Sequence, residues 1–243
     1  GRPGQGASTR SGGQVSGGVN VQKKALAAVG ETAAQREDRL AARLRDAAES
    51  MTYIESLIQE HRIECGWHKT GRLTAMWVPA HHQSWQGRIG QLNACANAQA
   101  RMLSRDELRG EIGSEIYYGA VLVGRAGHLH PALLYGGMLR AALQSGARVY
   151  GNTPVRRIER KHGHYAVVTP RGTVRAERVV IATNGYTGPN LAGLRRKVVP
   201  VTSHMIATEE LSPDLAASLL PTNRAVSESR RVVNHYRLSP DGR

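Results

Sequence analysis

The stretch from Tyr117 to Glu159 constrains this chain more than any other part of it. Tyr117–Val123 is apolar and aromatic and predicts a strand. Pro131 then stands where a helix tolerates proline, in its first turn, and Leu133, Leu134, Met138, Leu139 and Leu143 recur at helical spacing. Gly146 is a natural stop. Ala147–Tyr150 reads as a short buried strand, Thr153-Pro154 breaks it, and Val155–Glu159 resumes extended. Strand, helix, strand is a βαβ-like unit, which implies a parallel sheet. The expected fold class is therefore α/β.

The flanking segments add helices and antiparallel signals. From Glu31 to His61, Leu40, Leu44, Ala47, Met51, Ile54 and Ile58 form one apolar helical stripe opposite a charged face. Glu64–Trp67 and Leu73–Val78 read as short strands around Gly71. A helix is expected over His81–Leu103, and Ser104-Arg-Asp-Glu107 is a capping box that opens another. Pro170-Arg-Gly172 joins two extended runs as a hairpin. Arg178–Ala182 and Val198–Ala207 read as strands, and Leu211–Leu220 as a short helix. Residues 1–18, rich in Gly, Ser and Arg, look like a flexible tail when taken alone.

Charge narrows the class of partner. The formal charge is +14, which suits an anionic partner or a phosphate-bearing cofactor. The basic residues are scattered singly or in pairs, with no run of five or six, so nucleic acid is not expected. No apolar run is long enough to span a membrane, and no secretory signal is visible. Cys65 and Cys95 have neither CxxC nor Cys/His ligand spacing, so no metal site is expected, and reduced thiols point to the cytoplasm.

Three segments carry candidate chemistry. In Gly6-Ala-Ser-Thr-Arg-Ser-Gly-Gly-Gln14, small residues allow close backbone approach, backbone N–H groups can cradle an anion, and Arg10 matches phosphate. A disordered tail is the competing reading. Ala182-Thr-Asn-Gly185, at the end of an apolar strand, is how a doubly wound sheet brings backbone to a dinucleotide; an ordinary strand and turn would look the same. His128-Leu-His130-Pro131 has no acidic or cysteine partner at ligand spacing, so His128 and His130 are substrate-side or helix-entry residues.

The order of these segments resembles the D-amino-acid-oxidase-like family of FAD-dependent oxidoreductases, in the branch that holds the gamma-glutamylputrescine oxidoreductases. The likeness rests on Gly6–Gln14, where that branch usually has GAS-x-RNGGQ, on Gly127-His-Leu-His-Pro131, and on Gly146-Ala-Arg148 leading to Thr153-Pro-Val155. Val179-Val-Ile-Ala-Thr-Asn-Gly-Tyr-Thr187, Arg195-Arg-Lys-Val-Val-Pro-Val201 and Tyr236-Arg-Leu-Ser-Pro-Asp-Gly-Arg243 complete it. Thr9 and Ser11 depart from the branch pattern, and the family's strand–GxGxxG–helix is nowhere in the 243 residues. The chain thus reads as the middle of a larger flavoenzyme, lacking both ends.

The resemblance implies a doubly wound FAD-binding domain, here incomplete, interleaved with a mostly antiparallel substrate domain. The implied division is 1–62 for the FAD loop and long helix, 63–125 for part of the substrate domain, 126–192 for the FAD domain again, and 193–243 for the second substrate portion. FAD contacts are implied at Ala7, Ser8, Arg10, Ser11, Gly12, Gly13, Gln14, Val155, Ala182, Thr183, Asn184 and Gly185. The implied reaction moves a hydride from the carbon bearing an amine to flavin N5. The resulting imine is hydrolysed, and oxygen or another acceptor reoxidises the flavin. The partner is then a small-molecule amine. No catalytic base is legible, and Tyr118, His128 and His130 are the substrate-side candidates, with simple packing and capping roles as their alternative. Two other functions stay open: an inactive or cofactor-free fragment of such an enzyme, and a basic nucleic-acid-binding module.

Overall fold

The computed structural model describes residues 1–16 and 30–243; residues 17 and 18 of the Gly-rich stretch lie outside the described residues. Its elements in chain order are β1 (Gln14–Val15), α1 (Ala33–Glu60), β2 (Arg72–Ala75), α2 (Pro79–Ala96), β3 (Ala100–Leu103), α3 (Arg105–Leu108) and β4 (Ala120–Val123). β5 (Gly127–His128), α4 (Pro131–Gln144), β6 (Arg157–Lys161), β7 (His164–Thr169) and β8 (Gly172–Ala176) follow. The chain closes with α5 (Ala192–Arg195), α6 (Pro213–Leu219), β9 (Ala225–Glu228) and β10 (His235–Tyr236). The class is mixed α/β, as expected.

Local signals account for several boundaries. Thr32 and Gln35 form a capping box that starts α1, and Ser104 and Glu107 form the one read from sequence at α3. Pro131 occupies the first turn of α4, where its missing N–H costs nothing. The expected helix to Leu103 ends instead at Ala96. Asn97 turns left-handed at φ 45°, and the Asn93 amide bonds both the N–H and the carbonyl of Ala100, which starts β3.

The main sheet has the order β10-β9-β2-β4-β3. Only β2 and β9 run parallel; the other pairs are antiparallel. One face carries Met76, Val121, Val123 and Ala100 against Leu44 and Ala47 of α1 and Trp85, Leu92 and Ala96 of α2. The other face carries Leu73, Ala75, Leu122 and Val226 against Leu108, Ile112, Tyr117 and Leu220. A third cluster, Ile58, Ile63, Cys65 and Leu129, ties the end of α1 to α4 and to β1. Gly137 is the contact point on α4, since a Cβ there would lie 2.2 Å from Ile63 Cγ2. β6, β7 and β8 form a separate antiparallel meander, which contains the expected hairpin.

The expected parallel unit around α4 does not form. Both edges of β4 are already taken, by β2 and β3, so the chain after α4 cannot pair beside it. Residues 147–150 join no sheet, and neither do 178–182 or 198–207. The apolar composition of those last two runs is real, but a strand needs a ladder partner and none of the described residues supplies one. Val180, Val199 and Ile206 are consequently more than four-fifths exposed. On α4, Leu133, Met138 and Leu143 are exposed while Gly137 and Ala141 are buried, so the buried stripe is the small-residue one.

Candidate functional site

Residues 1–16 of the glycine-rich stretch pack on the fold rather than trailing as a tail. Residues 7–9 form a turn of 3-10 helix that packs against α4. The Thr9 hydroxyl donates to Gly4 O at 2.7 Å, and Gly4 adopts φ 84° with the Tyr135 ring 3.2 Å from where a Cβ would be. Asn152 N donates to Gly1 O at 2.8 Å. An open groove of about 480 Å³ results, lined by Arg2, Gly6, Tyr135, Tyr150, Gly151 and Tyr186 among others. Tyr186 directly follows Ala182–Gly185, and its ring comes within 3.7 Å of the Cβ position of Gly6. Gly6, at the head of the first stretch, and Tyr186, just after the second, line this groove; Ala7–Gln14 and Ala182–Gly185 do not. Val155 does not line the groove; its carbonyl accepts from the Asn190 side chain at 2.7 Å.

Ala7, Ser8, Arg10, Ser11, Gly12 and all of Ala182–Gly185 are exposed, and nothing lies within 4 Å of a Cβ at Gly12 or Gly185. Gly13 is buried at φ 68°, and a Cβ would sit 2.0 Å from Leu129 O. This end of the loop is clamped by Arg237, which donates to Gly12 O at 2.6 Å, Leu129 O at 3.0 Å and Leu238 O at 2.7 Å. Gln14 continues the tie to the main sheet. Its amide donates to Val226 O at 3.1 Å, and its oxygen accepts from Ser227 at 3.2 Å. Ser227 also meets His235 Nδ1 at 2.8 Å.

On the other face of β9, Glu228 is buried and committed twice. Tyr117 donates to Oε1 at 2.7 Å and Arg230 Nε donates to Oε2 at 2.6 Å. Tyr236 donates to the Tyr117 hydroxyl at 3.0 Å, and the Arg230 guanidinium stacks 4.2 Å above the Trp77 ring. Burial, reinforced by the bonds to Tyr236 and Glu228, holds the Tyr117 hydroxyl far above the ordinary tyrosine range. Tyr117 is therefore a fixed donor.

The three substrate-side candidates lie apart from this groove. Tyr118 is exposed and stacks with Arg105 at 5.5 Å. His130 is the N-cap of α4, accepting from Leu133 N at 3.4 Å. His128 is 2% exposed; its Nε2 donates to Asn223 O at 2.9 Å, which leaves Nδ1 buried without a partner. Burial, with smaller contributions from Arg237 and His68, lowers the His128 pKa below 6.5. The unfolded chain therefore binds a proton at this site before the folded chain does, so its contribution to stability is present above pH 6.5 and lost as pH falls. Replacing His128 with Gln should flatten the fall in melting temperature below that pH, measured as a melting series from neutral to mildly acidic buffer.

Sequence reasoning missed Arg237, Glu228, Tyr117 and Tyr236. The last segment was read as part of a motif, but nothing local says that Arg237 reaches back to the loop. Among the described residues no group of three His, Cys, Asp or Glu could hold a metal, Cys65 and Cys95 are free, and no helix is long and apolar enough to cross a membrane.

A glycine-rich loop tied to a mostly antiparallel sheet, with Gly6 at its head and Tyr186 lining one groove, suits a nucleotide cofactor in a protein of mixed α/β class. The FAD dependent oxidoreductase profile matches residues 1–243, and the chain belongs to that DAO family. It is similar to gamma-glutamylputrescine oxidoreductase of Escherichia coli K12, 32% identical over 250 residues, covering 100% of this chain and 55% of that protein. The chain spans about half the length of the curated relatives it matches. In fold it is similar to L-amino acid deaminase from Proteus vulgaris, at 15% identity and TM-score 0.66, covering 97% of this chain and 50% of that one. Glycine oxidase from Bacillus cereus aligns at 19% identity and TM-score 0.62, covering 98% and 61%.

The residues present fit FAD, the family's cofactor. Exposed glycine backbone at Gly12 and Gly185 faces open space, tyrosine rings line the groove, and Arg2 and Arg10 supply positive charge.

Proposed function

We propose that the whole protein oxidises a C–N bond of an amine or amino acid with FAD as its two-electron acceptor. The observation that carries this reading is that Gly6, at the head of the Gly6–Gln14 loop, and Tyr186, at the end of the Ala182–Tyr186 turn, line one groove. Similarity to gamma-glutamylputrescine oxidoreductase supports an amine as substrate. Bound FAD would supply hydride acceptance, a chemistry no side chain offers. This chain would supply binding and orientation. Ala7, Ser8, Ser11, Gly12 and Ala182–Gly185 would offer backbone and hydroxyl groups to the nucleotide, Arg10 would balance phosphate, and Val155 would offer backbone to the adenine. Gly13 and Gln14 would hold the loop at a fixed distance from the sheet, on which the amine would lie. Residues 63–125 and 193–243 would form the substrate portion, as the resemblance implies. Oxygen or another acceptor would complete the cycle, in the cytoplasm.

Gly185→Val tests the assignment, because a Cβ there meets no protein atom within 4 Å. The folded protein should keep its melting temperature in the absence of FAD. Its affinity for FAD, followed by quenching of flavin fluorescence, should fall about tenfold, a loss of about 1.4 kcal/mol. Purification of the whole protein colourless, with no flavin absorption regained on adding FAD, would overturn the reading. Anaerobic bleaching of the flavin bands by an amine is the expected positive result.

A further inference from the structure

The β9–β10 hairpin borders an open pocket of about 480 Å³, lined by Trp77, His81, Arg230, Arg231, Val232 and Asn234. It shares no residue with the groove assigned to the cofactor. Trp77 packs with Leu73, Ala75 and Val226 on one face of the main sheet. Gln14, at the end of the cofactor loop, bonds Ser227, whose side chain alternates to the other face. A ligand beside Trp77 and a nucleotide beside Gln14 are thus on opposite sides of the sheet.

The walls of this pocket are fixed. Ser229 N–H donates to Ala75 O at 2.9 Å, and Glu228 N–H donates to Asn234 O at 3.0 Å. Trp77 N–H donates to Ser229 Oγ at 2.9 Å, and the same hydroxyl meets His81 Nδ1 at 2.7 Å. Since that oxygen already accepts from Trp77, its proton goes to Nδ1, and in the neutral imidazole Nε2 is then the donor. Arg230 donates to Glu228 and stacks on Trp77, so its charge is balanced. Arg231 is exposed and forms no hydrogen bond or ion pair among the described residues. No lining residue is acidic. With His81 neutral, the pocket therefore carries one net positive charge, at Arg231. Val232 beside it is 82% exposed, an apolar side chain that nothing covers. One positive charge matches a monoanion better than a phosphate dianion, and the guanidinium fork matches a carboxylate. Val232 and the indole match an apolar body attached to that carboxylate.

We propose that this pocket is an effector site for a short aliphatic carboxylic acid, separate from the place of oxidation. Arg231 holds the carboxylate, His81 and Asn234 add donors, and the aliphatic chain lies against Trp77 and Val232. The occupant is not a substrate, because the sheet stands between it and the cofactor loop. The inference does not depend on the proposed amine oxidation.

The test uses the whole protein, with and without FAD, as wild type, Arg231→Gln, Arg231→Lys and Val232→Ser. Both positions are exposed, so the variants should keep the wild-type melting temperature. Hexanoate, acetate, hexylamine and inorganic phosphate are the probes, followed by titration calorimetry and, with FAD, by the flavin absorption bands. Without FAD, wild type should bind hexanoate saturably, and acetate, phosphate and hexylamine about tenfold more weakly or less. Arg231→Gln should weaken hexanoate about tenfold or more, and Arg231→Lys, which keeps charge but loses the fork, should fall between. Val232→Ser should weaken hexanoate about threefold and leave acetate unchanged. With FAD, any response of the flavin bands to hexanoate should be the same in wild type and Arg231→Gln. No saturable binding of hexanoate by wild type, an unchanged affinity in Arg231→Gln, or phosphate or hexylamine bound as tightly as hexanoate overturns the inference. So does a flavin-band response that disappears with Arg231→Gln, which would place the pocket on the substrate's side. If the wild type binds no FAD, the proposed function fails, and the titrations without FAD still decide whether Arg231 binds a carboxylate.

Discussion

Replacing Glu228 with alanine is expected to destabilise the protein by about 3 kcal/mol, the low end of the range for removing one partner of a buried ion pair. The variant strands two groups at once. The Tyr117 hydroxyl loses its acceptor in an apolar cluster, and Arg230 loses its carboxylate while still stacked on Trp77. Arg230 is one-third exposed, so water can partly replace the lost carboxylate, which is why the low end applies. Glu228→Gln should cost less, because an amide oxygen still accepts from Tyr117. Urea unfolding of both variants, with Arg230→Met and the double variant to close a cycle, measures the coupling. A loss below about 1 kcal/mol in Glu228→Ala would show that the network relaxes around the gap.

Gly13→Val is expected to have the second large effect, and on a different quantity. At φ 68° a β-branched residue is strained by roughly 1–2 kcal/mol before any contact is counted. The new Cβ would also meet Leu129 O at 2.0 Å, so the backbone must move. That displacement breaks the Leu129 N–H bond to Gly13 O and pulls Gly12 O from Arg237. FAD affinity of the whole protein should fall by roughly two orders of magnitude, about 2.7 kcal/mol. Arg237→Lys should reproduce part of the loss without the strain, since one ammonium cannot span the Gly12 and Leu129 carbonyls together. Fluorescence titration of FAD against both variants checks the ordering, and an affinity in Gly13→Val equal to wild type would refute it.

Much of the local structure was legible because its causes are local. Ser104 and Glu107, Pro131, and the turn at Pro170-Arg-Gly172 each fix their element through neighbours a few residues away. The loop at Gly6–Gln14 and the turn at Ala182–Gly185 were legible as small-residue stretches, and the family was legible from their order. Their convergence was implied only by the family resemblance; in the structure Gly6 and Tyr186, far apart in sequence, line one groove. Apolar content alone misled at 178–182 and 198–207, where composition suits a strand but pairing decides. It misled again on α4, where Gly137 and Ala141 face the core because close packing on Ile63 leaves no room for leucine. Glu228 gave no signal, and Arg237 was legible only as one residue of a motif. The role of each is defined by partners far away in sequence, Tyr117 for Glu228 and the Gly12 and Leu129 carbonyls for Arg237.

The parallel pairing of β2 with β9 carries a consequence for synthesis. The two strands are about 150 residues apart, yet β2 is central and β9 is its neighbour on one side. While the ribosome is still making the meander and α6, β2 and β4 can pair, but one edge of β2 stays open, with Arg72 beside it. For that interval the nascent chain offers unsatisfied backbone to any extended peptide, and a chaperone that shields sheet edges would raise the yield of native protein more than slower elongation would.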